Sequence, residues 1–121
     1  MSFSKRLASF KYAFQGLVIL CRTQPNFLIH LAVALIAVLA AFWLSFDRTE
    51  WLLLILTITI VLAAEAFNSA LEFLTDLVSP EYHPLAKKAK DVAAASVLLT
   101  AIGAVVVGIL LYAPKLLVHI D

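Results

Sequence analysis

Residues 65–91 read EAFNSALEFLTDLVSPEYHPLAKKAKD, and this stretch decides the fold. It starts inside one apolar run and ends where another begins, and it carries most of the chain's polar chemistry. Glu65, Asn68, Glu72 and Asp76 stand at i, i+3, i+7 and i+11, with Ser69 at i+4. Such spacings put all five on one stripe of one helix. A carboxylate set in a membrane helix is costly, so a carboxylate found there marks a site facing water or a partner helix.

The surrounding composition makes a membrane helix the reading. Hydrophobic residues fill 64% of the 121 positions and charged residues 14%, against about 45–50% and 25% in soluble domains. A globule of this size cannot bury so much apolar surface, whereas a bilayer removes the need. A net charge of +1 argues against a nucleic-acid partner. The lone Cys21 leaves no internal disulfide and no cysteine-based metal cluster.

Working outward, the fold class expected is all-α, a single membrane domain over residues 1–121. Residues 3–21 form an amphipathic helix. Phe3, Leu7, Phe10, Phe14, Leu17 and Cys21 recur at spacings of four and three, with Lys5, Arg6, Ser9 and Lys11 on other faces. An aromatic stripe opposite basic residues suits a helix lying in the headgroup plane. Without an unbroken apolar core or a small-residue cleavage site, this segment does not read as a secretory signal. Thr23 to Asn26 break the chain, with Pro25 suited to a first helical turn.

Three spans follow, at residues 27–46, 51–78 and 92–113. The first covers about 30 Å as a helix, enough to cross. The second is about 42 Å long, so its last turns extend beyond the hydrocarbon. Pro114 is expected to end the third. Trp43 and Trp51 flank the short turn between the first two spans, as an aromatic belt would. Lys5, Arg6, Lys11 and Arg22 precede the first span and Lys87, Lys88 and Lys90 precede the third; only Arg48 and Lys115 lie opposite. The positive-inside rule therefore places the N-terminus and the 79–91 loop in the cytoplasm.

Counted inward from Trp51, Glu65 lies about 21 Å along the helix, Glu72 about 31 Å and Asp76 about 37 Å. The stripe then straddles the cytoplasmic interface, with Glu65 innermost in low dielectric. Burial raises a carboxyl pKa and suits Glu65 to accept a proton. The wetter carboxylates and the Asn68 amide suit a hard cation such as Mg²⁺. Lys87, Lys88 and Lys90 offer positive charge to phosphates. Metal, positioned anion and general base are what phosphoryl transfer needs. Plainer readings stand beside this one. Lys87 and Lys88 serve equally as topology signals, Asp76 as a solvated helix end, and His30 as a hydrogen-bonded interhelical residue. Gly103 and Gly108 lie mid-span with no Lys-Ser/Thr after them, so they read as packing contacts rather than a nucleotide loop.

The two blocks E-x-x-N-S-A-x-E-x-x-x-D and S-P-E-Y-H-P-L-A-K-x-A-K-D-x-A-A-A together resemble the prokaryotic diacylglycerol kinase family, which includes undecaprenol kinases. The likeness runs over nearly the whole chain. It implies a homotrimer in the bacterial inner membrane that transfers the γ-phosphate of MgATP to a lipid alcohol. By position Glu65 matches the catalytic base, Asn68 the polar residue beside it and Glu72 a metal-bound carboxylate. Asp76 belongs with the cofactor-binding set at the wet end of the stripe. Lys90 and Asp91 match the nucleotide-binding pair, Glu81, Tyr82 and His83 a loop against the nucleotide, and Tyr12 a nucleotide contact on the first helix. Lys5 or Arg6 takes the place of a nucleotide-binding Arg. Gln24 stands where some relatives carry a second metal-binding Glu, which alters the charge at that ligand position. The S-P-E-Y-H-P-L-A-K-K-A-K-D version of the motif and His30 in F-L-I-H lean toward undecaprenol over diacylglycerol. A small transporter or proton relay would explain Glu65 but not the rest of the stripe or the basic block. A purely structural protein would pair the stripe internally.

Overall fold

The computed structural model describes residues 2–120 as four helices: α1 Phe3–Thr23, α2 Pro25–Trp43, α3 Arg48–Val78 and α4 Pro84–Ile120. The all-helical expectation holds, and α2, α3 and α4 are each long and apolar enough to cross a membrane. Helix α4 packs along α3, α2 packs on α3, and α1 meets α2. Most large apolar side chains face outward, among them Phe42, Val105 and Leu110. That arrangement is stable where lipid, not water, is the solvent.

The boundaries differ from expectation for identifiable reasons. Helix α2 stops at Trp43, not at residue 46, in a Schellman motif. The Phe46 N–H reaches Ala41 O at 3.1 Å and the Ser45 N–H reaches Phe42 O at 3.2 Å. Ser45 supplies the left-handed residue that this motif needs, with φ 56°. Helix α3 starts at Arg48 rather than 51, because Asp47 and Glu50 form a capping box. The Asp47 carboxylate accepts the Glu50 N–H at 2.8 Å, and Glu50 Oε1 accepts the Asp47 N–H at 3.2 Å. Backbone bonding to Glu50 holds the Asp47 carboxyl below its usual range.

Helix α4 is longer at both ends than the expected 92–113 span. Its 37 residues run about 55 Å, well beyond a hydrocarbon core of about 30 Å. Pro84 opens it, a position where the missing N–H costs nothing. Pro114 does not end it. Lys115 Nζ meets Glu50 Oε1 at 2.9 Å and Ser45 O at 3.3 Å, and lies 5.5 Å from the centre of the Phe46 ring. His119 packs edge-on to Trp43. These contacts outweigh the local preference of proline to break a helix.

The apolar core sits at this same end. Ala41, Leu44, Phe46, Leu54 and Leu111 are buried together, with Trp51 and Tyr112 against them. The Tyr112 hydroxyl donates to the Ala37 carbonyl, tying α4 to α2. Gly103 and Gly108 do not act as packing contacts within the chain: nothing lies within 4 Å of where a Cβ would stand on either.

Candidate functional site

The polar stripe lies on the half of α3 away from that core. Nothing between Arg48 and Val78 breaks the helix, so the spacings read from sequence become real neighbours. Glu65 is 3% exposed and Ser69 1%, while Glu72 is half-buried and Asp76 is exposed. The stripe therefore grades from dry to wet along its length.

Glu65 has a partner on another helix. His30 Nε2 on α2 lies 3.0 Å from Glu65 Oε1. A carboxylate only accepts, so Nε2 is the nitrogen that carries the hydrogen. Phe27, one turn before His30, is buried.

One turn along, Asn68 Nδ2 donates to Glu72 Oε1 at 3.3 Å. Among the described residues, Asn68 Oδ1 and Ser69 Oγ are buried without a hydrogen-bond partner. Orphaned buried oxygens are rare and call for a ligand, an ion or another chain. At the wet end, Lys90 of α4 pairs with Asp76 of α3 across the 79–83 connection. Lys87 pairs with Asp91 at 2.6 Å along α4. Asp76 is thus a paired group, not a bare helix end. His83 caps α4, its Nδ1 accepting the Leu85 N–H at 3.1 Å. Glu81 and Tyr82 stand exposed in the loop.

The remaining expected residues make no hydrogen bond or ion pair with the stripe among the described residues. Gln24 sits at the α1–α2 joint, where its Nε2 donates to Thr23 Oγ1 at 3.2 Å. Lys5 and Tyr12 are exposed on α1; among the described residues no hydrogen bond or ion pair joins either side chain to the stripe. His30 is the group that the expected site lacked. Its one sequence signal was a titratable ring early in an otherwise apolar run.

An apolar cavity of about 370 Å³ opens between α2, α3 and α4. His30 lines it, together with Val33, Ala37, Leu54, Val61 and Gly108. Thr57 and Tyr112 also line it, but their hydroxyls are spent on Leu53 O and Ala37 O.

A dry carboxylate, an acid–amide stripe and a paired lysine at the wet end of a three-span bundle define a membrane-embedded kinase as the class. The profile described as prokaryotic diacylglycerol kinase matches residues 11–112. This chain belongs to that family, and it is an enzyme of the kinase type. It is 36% identical over 108 residues to the undecaprenol kinase of Bacillus subtilis (strain 168), covering 89% of this chain and 88% of that protein. It is 45% identical over 112 residues to a diacylglycerol kinase of Synechocystis sp., covering 92% of this chain but 64% of that longer relative. Against the diacylglycerol kinase of Escherichia coli (strain K12) it is 34% identical over 104 residues, with 86% and 85% covered.

Proposed function

We propose that this protein transfers the γ-phosphate of MgATP to the primary hydroxyl of a membrane lipid, with undecaprenol as the acceptor. The observation that carries the reading is Glu65: a carboxylate 3% exposed, joined through His30 to the wall of an apolar cavity. The hydrophobic tail has a place beside the acid, and the acid lies near groups suited to a triphosphate.

In the reaction the lipid hydroxyl gives its proton to Glu65 as its oxygen bonds to the γ-phosphorus. The bond from that phosphorus to the β–γ bridging oxygen breaks, and ADP leaves. Glu65 Oε2 receives the proton, since His30 engages Oε1. Lys90, steered by Asp76, offsets phosphate charge, and Asp91, Glu81, Tyr82, His83, Tyr12 and Lys5 make up the nucleotide side.

Mg²⁺ fits the donors present. Glu72 and Asn68 Oδ1 are hard oxygens one turn apart, and the second has no other partner. Among the described residues no group of three or more His, Cys, Asp or Glu could hold a metal. One or two protein ligands is the number Mg²⁺ takes when phosphates and water complete its shell. Bound there, Mg²⁺ would neutralise charge on the transferring phosphoryl group. Gln24 is assigned to a further ligand position, as an uncharged oxygen.

The spent hydroxyls of Thr57 and Tyr112 favour undecaprenol, whose chain needs no hydrogen bonds, over diacylglycerol, whose ester carbonyls accept them. Diacylglycerol is the second reading, favoured by the 45% identity to a diacylglycerol kinase. The orphaned Ser69 oxygen and the outward-facing spans support contact with further copies of the chain, for which the family resemblance implies a homotrimer in the bacterial inner membrane. The lysine and arginine distribution supports a cytoplasmic N-terminus. Purified protein in mixed micelles with labelled ATP and each lipid tests the proposal. Label in undecaprenyl phosphate is expected; label in phosphatidic acid selects the second reading, and label in neither rejects both.

A further inference from the structure

We propose that His30 is a positioning residue for Glu65, fixing the carboxylate so that one oxygen faces the lipid hydroxyl. The inference rests on the phosphotransfer reading above and adds a residue to it. Two observations carry it. The first is the contact itself: Nε2 to Oε1 at 3.0 Å, between helices α2 and α3. Among the described residues, no other side chain bonds or pairs with the Glu65 carboxylate.

The second is where the ring stands. The His30 side chain is 26% exposed and that of Glu65 4%, and His30, not Glu65, lines the apolar cavity. The imidazole is thus the element between tail space and proton acceptor. A glutamate side chain turns about several bonds, and a freely turning base samples few orientations useful for in-line attack. One fixed N–H on Oε1 leaves Oε2 as the accepting oxygen and sets its direction. Misplacement of a reacting group by about 1 Å costs on the order of a hundredfold in rate.

Histidine also suits the task chemically. An imidazole can donate from Nε2 without the permanent charge that Lys or Arg would bring beside the buried carboxylate. Its two-nitrogen ring is rigid, so the donated bond holds direction as well as distance.

The test uses full-length protein in undecaprenol micelles with labelled ATP. His30→Met keeps volume and removes the donor; His30→Gln keeps an N–H that reaches Glu65. H30M is expected to lose about a hundredfold in kcat with KM for ATP within about twofold. H30Q is expected to recover at least about tenfold over H30M. The H30M/E65Q double variant should be no slower than E65Q alone, because His30 acts only through Glu65. Wild-type kcat in H30M, or losses that multiply in the double variant, would overturn the role of His30 while the kinase reading stands. Wild-type protein that phosphorylates neither lipid overturns both.

Discussion

Replacing Glu65 with Gln isolates one proton-accepting oxygen pair at almost constant shape. The glutamine carbonyl still accepts the His30 N–H, so the contact between α2 and α3 at 3.0 Å survives the change. Glutamine is neutral, so the substitution leaves no uncompensated charge in the buried site. Folding and assembly should therefore be unharmed, with thermal stability equal to or above wild type. The reaction loses its proton acceptor. General base catalysis contributes about 10²–10⁴ in rate, so kcat should fall roughly a thousandfold, or ~4 kcal/mol of barrier. KM for ATP should stay within about twofold, because the groups on the 81–91 segment that we propose hold the nucleotide are untouched. The assay is transfer of labelled phosphate to undecaprenol in mixed micelles, alongside size-exclusion chromatography to confirm assembly. A well-assembled E65Q protein within about threefold of wild-type kcat would remove Glu65 from the chemistry. An E65Q protein that falls apart would refute the claim that His30 is content with any acceptor there.

Three other outcomes follow from separate parts of the structure. Glu72→Gln keeps the bond from Asn68 but removes the charge that a metal needs; half-maximal Mg²⁺ should rise by about tenfold, with activity partly restored at high Mg²⁺, measured by metal titration of kcat. Ser45 sits at φ 56°, where a Cβ costs about 1 kcal/mol, so Ser45→Gly should raise the thermal midpoint without altering kcat. For Asp47, the carboxyl is lowered in the folded state by the Glu50 backbone N–H. A lowered folded pKa gives stability that is present above the unfolded value of about 4 and is lost as pH falls through the folded value. Acidification over that range should therefore lower the melting midpoint of wild type more than that of Asp47→Asn, read by circular dichroism.

Much of the architecture was legible because apolar runs and charge placement are local properties. Glu65, Asn68, Glu72 and Asp76 do share one helix, α3, because an unbroken helix turns sequence spacing directly into geometry. Boundaries were less legible where a few specific bonds decide them. The capping box of Asp47 and Glu50 starts α3 ahead of its apolar run, although D-x-x-E was visible as a signal. Pro84 likewise starts α4 before hydrophobicity announces it. Pro114 misled because its effect depends on Lys115 and His119 finding partners on α2, α3 and the turn between them, and no local pattern reveals that. The same limit hid the join between His30 and Glu65. Each residue was conspicuous in its own helix, but the register of α2 against α3 fixes which one it meets. That register depends on which side chains of the two helices pack together, as Ala41 and Leu54 do, not on periodicity.

The two ends of the bundle solve opposite problems, and the division bears on how catalysis is tuned. At the turn end, Asp47 and Glu50 are spent on each other's backbone, Lys115 on Glu50 and Tyr112 on Ala37. Those contacts contribute rigidity. At the other end, Asn68 Oδ1 and Ser69 Oγ are left without partners, while Asp76, Lys90, Lys87 and Asp91 form exposed pairs that solvent and salt weaken. Exchanging such a pair for a phosphate costs little, whereas opening the Lys115–Glu50 contact would loosen the turn joining α2 to α3. Stability is thus concentrated at the turn end, away from the proposed site. On the proposed reading, the carboxylate that must keep one direction is held by a rigid joint at the far end and a single histidine beside it.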